Sequence, residues 1–94
     1  MKLEDKIQRN FLEALLIGDR FQCSTIVKTL IQNNVPIKDI YENVIKISMY
    51  RVGELWEYNK ISVATEHLAS AISESILNEH YHHIAAQQKI NKKV

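Results

Sequence analysis

Two glycines, one proline and one cysteine are all that 94 residues contain of those types. Average usage would place about a dozen Gly plus Pro in a chain this long. β-Sandwiches and barrels spend such residues at every turn, and a nucleotide-binding α/β unit needs several in its phosphate loop. The scarcity, in a chain that is 46% apolar, excludes most all-β folds, any glycine-rich phosphate cradle, and disorder. The single cysteine, Cys23, excludes an intramolecular disulfide and suits a reducing cytoplasm; its simplest role is that of a small core hydrophobe. An excess of one charge is missing as well. Twelve Lys plus Arg against eleven Asp plus Glu leave a net +1, so no global field steers the chain to nucleic acid or to an anionic membrane. The longest apolar run, Ala14–Ile17, is far too short to span a membrane, and Met1-Lys2-Leu3-Glu4-Asp5 lacks the apolar stretch of a signal peptide.

What is present reads as four helices and three breaks. Leu3, Ile7, Phe11, Ala14 and Leu15 recur at helical spacing, and Gly18 follows as a left-handed cap. Asp19 caps a second helix with Phe21, Cys23, Ile26, Val27, Leu30 and Ile31 on its apolar side, closed by Asn33-Asn34. Pro36 opens a third, where a missing amide proton costs nothing, and Ile37, Ile40, Tyr41, Val44, Ile45, Ser48, Val52, Leu55 and Trp56 carry its stripe. Gly53 inside that helix costs about 1 kcal/mol against alanine if exposed, so it either tolerates that loss or admits a close neighbour, helix or ligand. Asn59-Lys60 marks the last break. Ser62 then starts a fourth helix that the pattern extends from Val63 to about Gln88. Short connections make sequential helices antiparallel, so the expected fold is all-α, an up-down four-helix bundle over 1–88 with 89–94 as a linker.

Candidate ligands gather in the second half. Glu79 and His82 have the Glu-x-x-His spacing of carboxylate-bridged di-iron bundles, but those sites need a second such pair, and none exists. His80 with His83, or Glu79 with His83, would supply half a zinc site; a solvated polar patch on a fraying helix end is the better expectation. Glu66 and His67 are adjacent, so they point about 100° apart and present two groups to one extended ligand rather than chelating one ion. Around His67, Ala64, Ala71 and Ser75 form a strip of small residues. Such a strip serves either tight helix packing or a flat, bulky ligand. Trp56, at the end of the third helix, serves either as rim packing or as an aromatic lid. No Ser-His-Asp set, reactive Cys-His pair or phosphate loop can be assembled, which points to a binding or interaction bundle rather than an enzyme.

The run Phe11-Leu12-Glu13-Ala14-Leu15-Leu16-Ile17-Gly18-Asp19, then Ile40-Tyr41, then Val52-Gly53-Glu54-Leu55-Trp56, then Ile61-Ser62-Val63-Ala64-Thr65-Glu66-His67-Leu68-Ala69-Ser70, resembles a known order. It is that of the helical cap module of cobalamin-binding proteins, as in methionine synthase, methyltransferase corrinoid proteins and light-sensing adenosylcobalamin regulators. The specific part is Trp56, nine intervening residues, then Glu66-His67, which looks like the pattern of the light-sensing regulators. The resemblance implies that Trp56 caps the upper ligand with Val63 packed against it, and that Glu66 hydrogen-bonds the adenosyl ribose. It also implies that His67 is an upper axial cobalt ligand, and Ala64 and Ala71 leave room for the macrocycle.

In that family the cap precedes a Rossmann-like domain whose Asp-x-His-x-x-Gly motif supplies the lower axial histidine. The motif does not occur in these residues, and Lys89-Ile90-Asn91-Lys92-Lys93-Val94 looks like the linker that leads into such a domain. The expectation is a cap without catalysis of its own, working in the cytoplasm with a Rossmann-like domain in cis or in trans. It would take adenosylcobalamin by preference and methylcobalamin as the second choice, and would bind either weakly by itself. A sensor is favoured by the Trp56-to-Glu66-His67 spacing. The cap of a methyltransferase corrinoid carrier is the alternative, and a cofactor-free interaction bundle, self-associating to cover its exposed face, is the third reading.

Overall fold

A computed structural model describes residues 3–80, and every regular element among them is helical. Helix α1 spans Leu3–Leu16 and α2 spans Arg20–Gln32. Helix α3 covers 37–57 in three stretches: α-helix over Ile37–Ile40, a π-helical turn over Tyr41–Ile45, and α-helix again over Lys46–Glu57. Helix α4 spans Val63–Glu79, with His80 at its C-cap. The chain is thus a four-helix bundle joined by short turns. The expected continuation of the last helix to Gln88 and the linker at 89–94 lie outside the described residues.

The ends of the helices form where local chemistry directs them. Gly18 adopts φ +74°, the left-handed conformation that favours glycine, and a Cβ added there would stand 2.7 Å from Leu68 Cδ2 on α4, so the leucine side chain would have to shift. Asp19 accepts from the Gln22 amide at 3.0 Å and Ser62 from the Thr65 amide at 3.1 Å, each satisfying a donor that the first helical turn leaves unpaired. Asn34 and Asn59 hold φ of 66° and 60°, the left-handed conformation that asparagine tolerates, and so turn the chain after α2 and after α3. Pro36 sits at the N-cap of α3.

One core runs through all four helices: Phe11, Ala14 and Leu15 of α1, Cys23 and Val27 of α2, Ile37, Ile40, Val44, Ile45 and Val52 of α3, and Ala69, Ile72 and Ile76 of α4. Helix α1 packs against each of the others. Burial and the nearby Asp19 carboxylate push the Cys23 thiol up to about 11, so it behaves as the expected inert hydrophobe. Three residues placed on buried stripes by periodicity lie outside, Trp56 at 49% exposure being one. Phe21 is 80% exposed, because the inner line of α2 is Cys23–Val27 and a residue two before Cys23 points about 200° away. Tyr41, where α3 opens into the wide π turn, is 40% exposed. That turn loosens the regular ladder, and the Asn43 carbonyl within it accepts from Gln8 Nε2 of α1 at 2.6 Å.

The hydroxyl oxygens of Ser48 and Ser73 are buried without a hydrogen-bond partner among the described residues. Ser48→Ala and Ser73→Ala should each raise the unfolding free energy by about 0.5–1.5 kcal/mol, since each removes an unsatisfied polar group and improves helix propensity. Ile76→Ala, at a fully packed site, should lower it by about 2–5 kcal/mol. Urea denaturation of the three variants checks both signs.

Candidate functional site

Helix α4 divides into two faces at helical spacing. Ala69, Ile72, Ser73 and Ile76 face the core. On the opposite side Ala64, His67 and Ala71 are exposed and Ser75 is partly so. Among the described residues the small-residue strip is therefore not a packing seam. It floors an open groove of about 480 Å³ lined by His67, Ser70, Ala71, Glu74, Ser75 and Asn78. From α2, Arg20 reaches over to donate from Nε and Nη2 to Ser75 Oγ at 3.1 and 2.6 Å.

Glu66 stands in the first turn of α4, where the helix N-terminus favours a carboxylate. Its side chain is only 25% exposed, whereas that of His67 is 75% exposed. The carboxylate is held from two directions: Ser70 Oγ donates to Oε2 at 3.2 Å, and His67 Nδ1 lies 3.3 Å from Oε1. That placement leaves Nε2 as the outer nitrogen of the imidazole, the atom that a ligand or metal arriving from solvent would meet first. Trp56 and Val63 border the α3–α4 connection, one on each side, and are 49% and 51% exposed. Trp56 is thus not a core residue. Leu68, 49% exposed, closes the strip against the Gly18 turn. The geometry gathers Glu66, His67, Ala71 and Ser75 along one helix and presents Trp56 from its neighbour.

Ser70, Glu74, Asn78 and Arg20 were not singled out by sequence pattern. The first three continue the helical spacing of Glu66 and His67, so following that spacing along α4 from Glu66 to Asn78 would have found them. Arg20 carries no local signal, because its role comes from the packing of α2 on α4.

Of the C-terminal group Glu79, His80, His82 and His83, expected as a solvated patch, Glu79 is exposed and His80 is not. His80 is 7% exposed. Glu79 pairs with Lys28 Nζ at 3.2 Å and accepts from Ser24 Oγ at 3.3 Å, tying the end of α4 to α2. Its carboxyl is held below the usual range, chiefly by the hydrogen bond from Lys28. His82 and His83 lie outside the described residues. Among the described residues no three His, Cys, Asp or Glu side chains gather as a metal site. A second, more enclosed cavity of about 330 Å³ lies between α1, α2 and α3, over Ile7, Leu30, Val35, Ile40 and Val44.

A family model described as the B12 binding domain matches residues 7–79, which takes in Trp56, Val63, Ala64, Glu66, His67 and Ala71. No curated protein matches the chain. Among the described residues no helix is long and apolar enough to cross a membrane.

A carboxyl with a lowered folded-state pKa stabilises the fold above its unfolded value, and that contribution is lost as pH falls through the folded one. Lys28→Ala should therefore move the Glu79 titration to higher pH, read from its side-chain carboxyl carbon by NMR. The stability difference between wild type and variant should vanish in acid.

Proposed function

The chain belongs to the B12-binding domain family, and on that premise we propose that it covers the upper face of the corrin ring in an adenosylcobalamin-dependent sensor or regulator. The observation that carries this reading is the outer face of α4: small side chains at Ala64 and Ala71 left exposed, beside a carboxylate and an imidazole. Helix packing, the other use for such a strip, is taken up by the opposite face. A flat macrocycle fits against a surface of that kind, and the residue types present supply a hydrogen-bond acceptor and a ligand of the class transition metals accept.

In this reading each residue has one task. Ala64 and Ala71 keep the helix surface low so that the ring edge approaches the backbone. Trp56 and Val63, half exposed on either side of the connection, shield the upper ligand from water. Glu66, steadied by Ser70, accepts hydrogen bonds from ligand hydroxyls. His67 would hold the cobalt through Nε2, its Nδ1 kept near the Glu66 carboxylate, the arrangement in which an outer-shell carboxylate orients a metal-binding imidazole. The bound cofactor would supply the cobalt–carbon bond chemistry, and the protein binds, orients and excludes water. The chain is a binding module rather than a catalyst. A Rossmann-like domain, in cis or in trans, is the proposed partner that covers the lower face.

Because only one face is covered, the chain alone should bind adenosylcobalamin in the micromolar to millimolar range, roughly −4 to −8 kcal/mol. Trp56 is the single tryptophan, so its fluorescence, corrected for cofactor absorbance, follows the titration. Glu66→Gln should weaken adenosylcobalamin binding about tenfold or more, the scale of a lost hydrogen bond to a charged group, and leave methylcobalamin within twofold. Equal affinity of the wild type for both cofactors would instead favour the cap of a methyl-carrying corrinoid protein. No saturable quenching by either would remove the cofactor reading.

A further inference from the structure

The cavity between α1, α2 and α3 takes no part in the α4 face. Asn43, on its wall, and Trp56 are separated by about 20 Å of helix at 1.5 Å per residue. The cavity floor is apolar: Ile7 of α1, Leu30 of α2, Val35 of the following turn, and Ile40 and Val44 of α3. These side chains belong to the core or pack against it, so the cavity is an inlet into the interior. Its volume of about 330 Å³ lies within the range of small-molecule sites, roughly 300–1,000 Å³.

The rim is polar and unsatisfied. Asn33, Asp39 and Asn43 complete the lining, and all three residues are exposed. Among the described residues no hydrogen bond or ion pair engages their side chains. The lining thus carries one carboxylate, two amides and no cationic group above its apolar floor.

The wall at Asn43 and Val44 is built by the irregular turn of α3. There the Lys46 amide donates to the Tyr41 carbonyl, five residues back instead of four, and the helix widens. Such turns are rare, and they recur at functional sites. This one is held in place, because Gln8 Nε2 donates to the Asn43 carbonyl at 2.6 Å and ties the wall to α1 beside Ile7.

We propose that this cavity is a further binding site, for a small primary amine with an apolar body. The body lies over Leu30, Ile40 and Val44. The ammonium head reaches Asp39, with the side-chain carbonyls of Asn33 and Asn43 as further acceptors. Burial of the body supplies the attraction. The carboxylate sets the sign of charge accepted, since an anionic head would meet Asp39 as a like charge. The inference is independent of the cobalamin reading, because the cavity shares no residue with the α4 face.

NMR titration of the full chain with three probes of similar shape tests it: 2-phenylethylamine, 2-phenylethanol and 3-phenylpropanoate. The amine should shift the amides of Leu30, Val35, Asp39, Asn43 and Val44 saturably, with a Kd in the millimolar range. The alcohol should bind at the same residues more weakly, and the carboxylate more weakly still. Asp39→Asn, at an exposed position, should lower the amine affinity about fivefold, the upper end for an exposed ion pair, and leave the alcohol within twofold. The inference is overturned by the absence of saturable shifts at these amides with 2-phenylethylamine, by equal affinity for the amine and 3-phenylpropanoate, or by unchanged amine affinity in Asp39→Asn. None of these outcomes bears on the α4 face.

Discussion

Which side of α4 the core takes determines what the rest of this small protein has to offer. Ala69, Ile72 and Ile76 commit one face of that helix to the interior, and the turn at Gly18 presses on Leu68 at its flank. Rotating α4 to bury the Ala64–Ala71 side instead would expose two isoleucines, at about 1.5–3 kcal/mol for each side chain. It would also draw the Glu66 carboxylate and the His67 imidazole into the interior, where each needs partners. The hydrophobic effect thus selects the buried face, and the chemistry-bearing face is outward by consequence. Small residues there cost little, because they cover little apolar surface that water must meet.

The polar contacts between α2 and α4 keep this face in register. Arg20 bonds to Ser75 about one turn before the end of α4, and Lys28 and Ser24 bond to Glu79 at its end. Exposed pairs of this kind contribute modestly to stability. Their larger effect is positional, because they fix how the outer strip of α4 sits beside α2. Trp56 approaches from the other side, on α3, so the proposed ligand surface is shared between two helices that pack together.

How much of this was legible in the sequence depends on the range of the forces involved. Helix ends were legible, since Gly18, Asp19, Pro36 and Ser62 act within a few residues of themselves. Most of the core stripe was legible for the same reason. Phe21 was misplaced because its apolar character says nothing of the face it occupies two residues before Cys23. The π turn at Tyr41–Ile45 has no composition signal, and the contact of Gln8 with Asn43 becomes evident only once α1 lies against α3. For the site, the spacing of Glu66 and His67 and of the small strip could be read directly. Whether that strip packs or stays open depends on tertiary structure. So do the reach of Arg20 to Ser75 and the burial of His80.

The central claim is that the outer face of α4, with Trp56, is the ligand surface. Amide and indole N–H shifts of the 94-residue chain, mapped as adenosylcobalamin is added, test it most directly. The account predicts changes centred on Ala64, His67 and Ala71, together with the Trp56 indole, with the cavity over Ile7, Leu30 and Val44 unmoved. Changes centred on that cavity, with the α4 face silent, would contradict it.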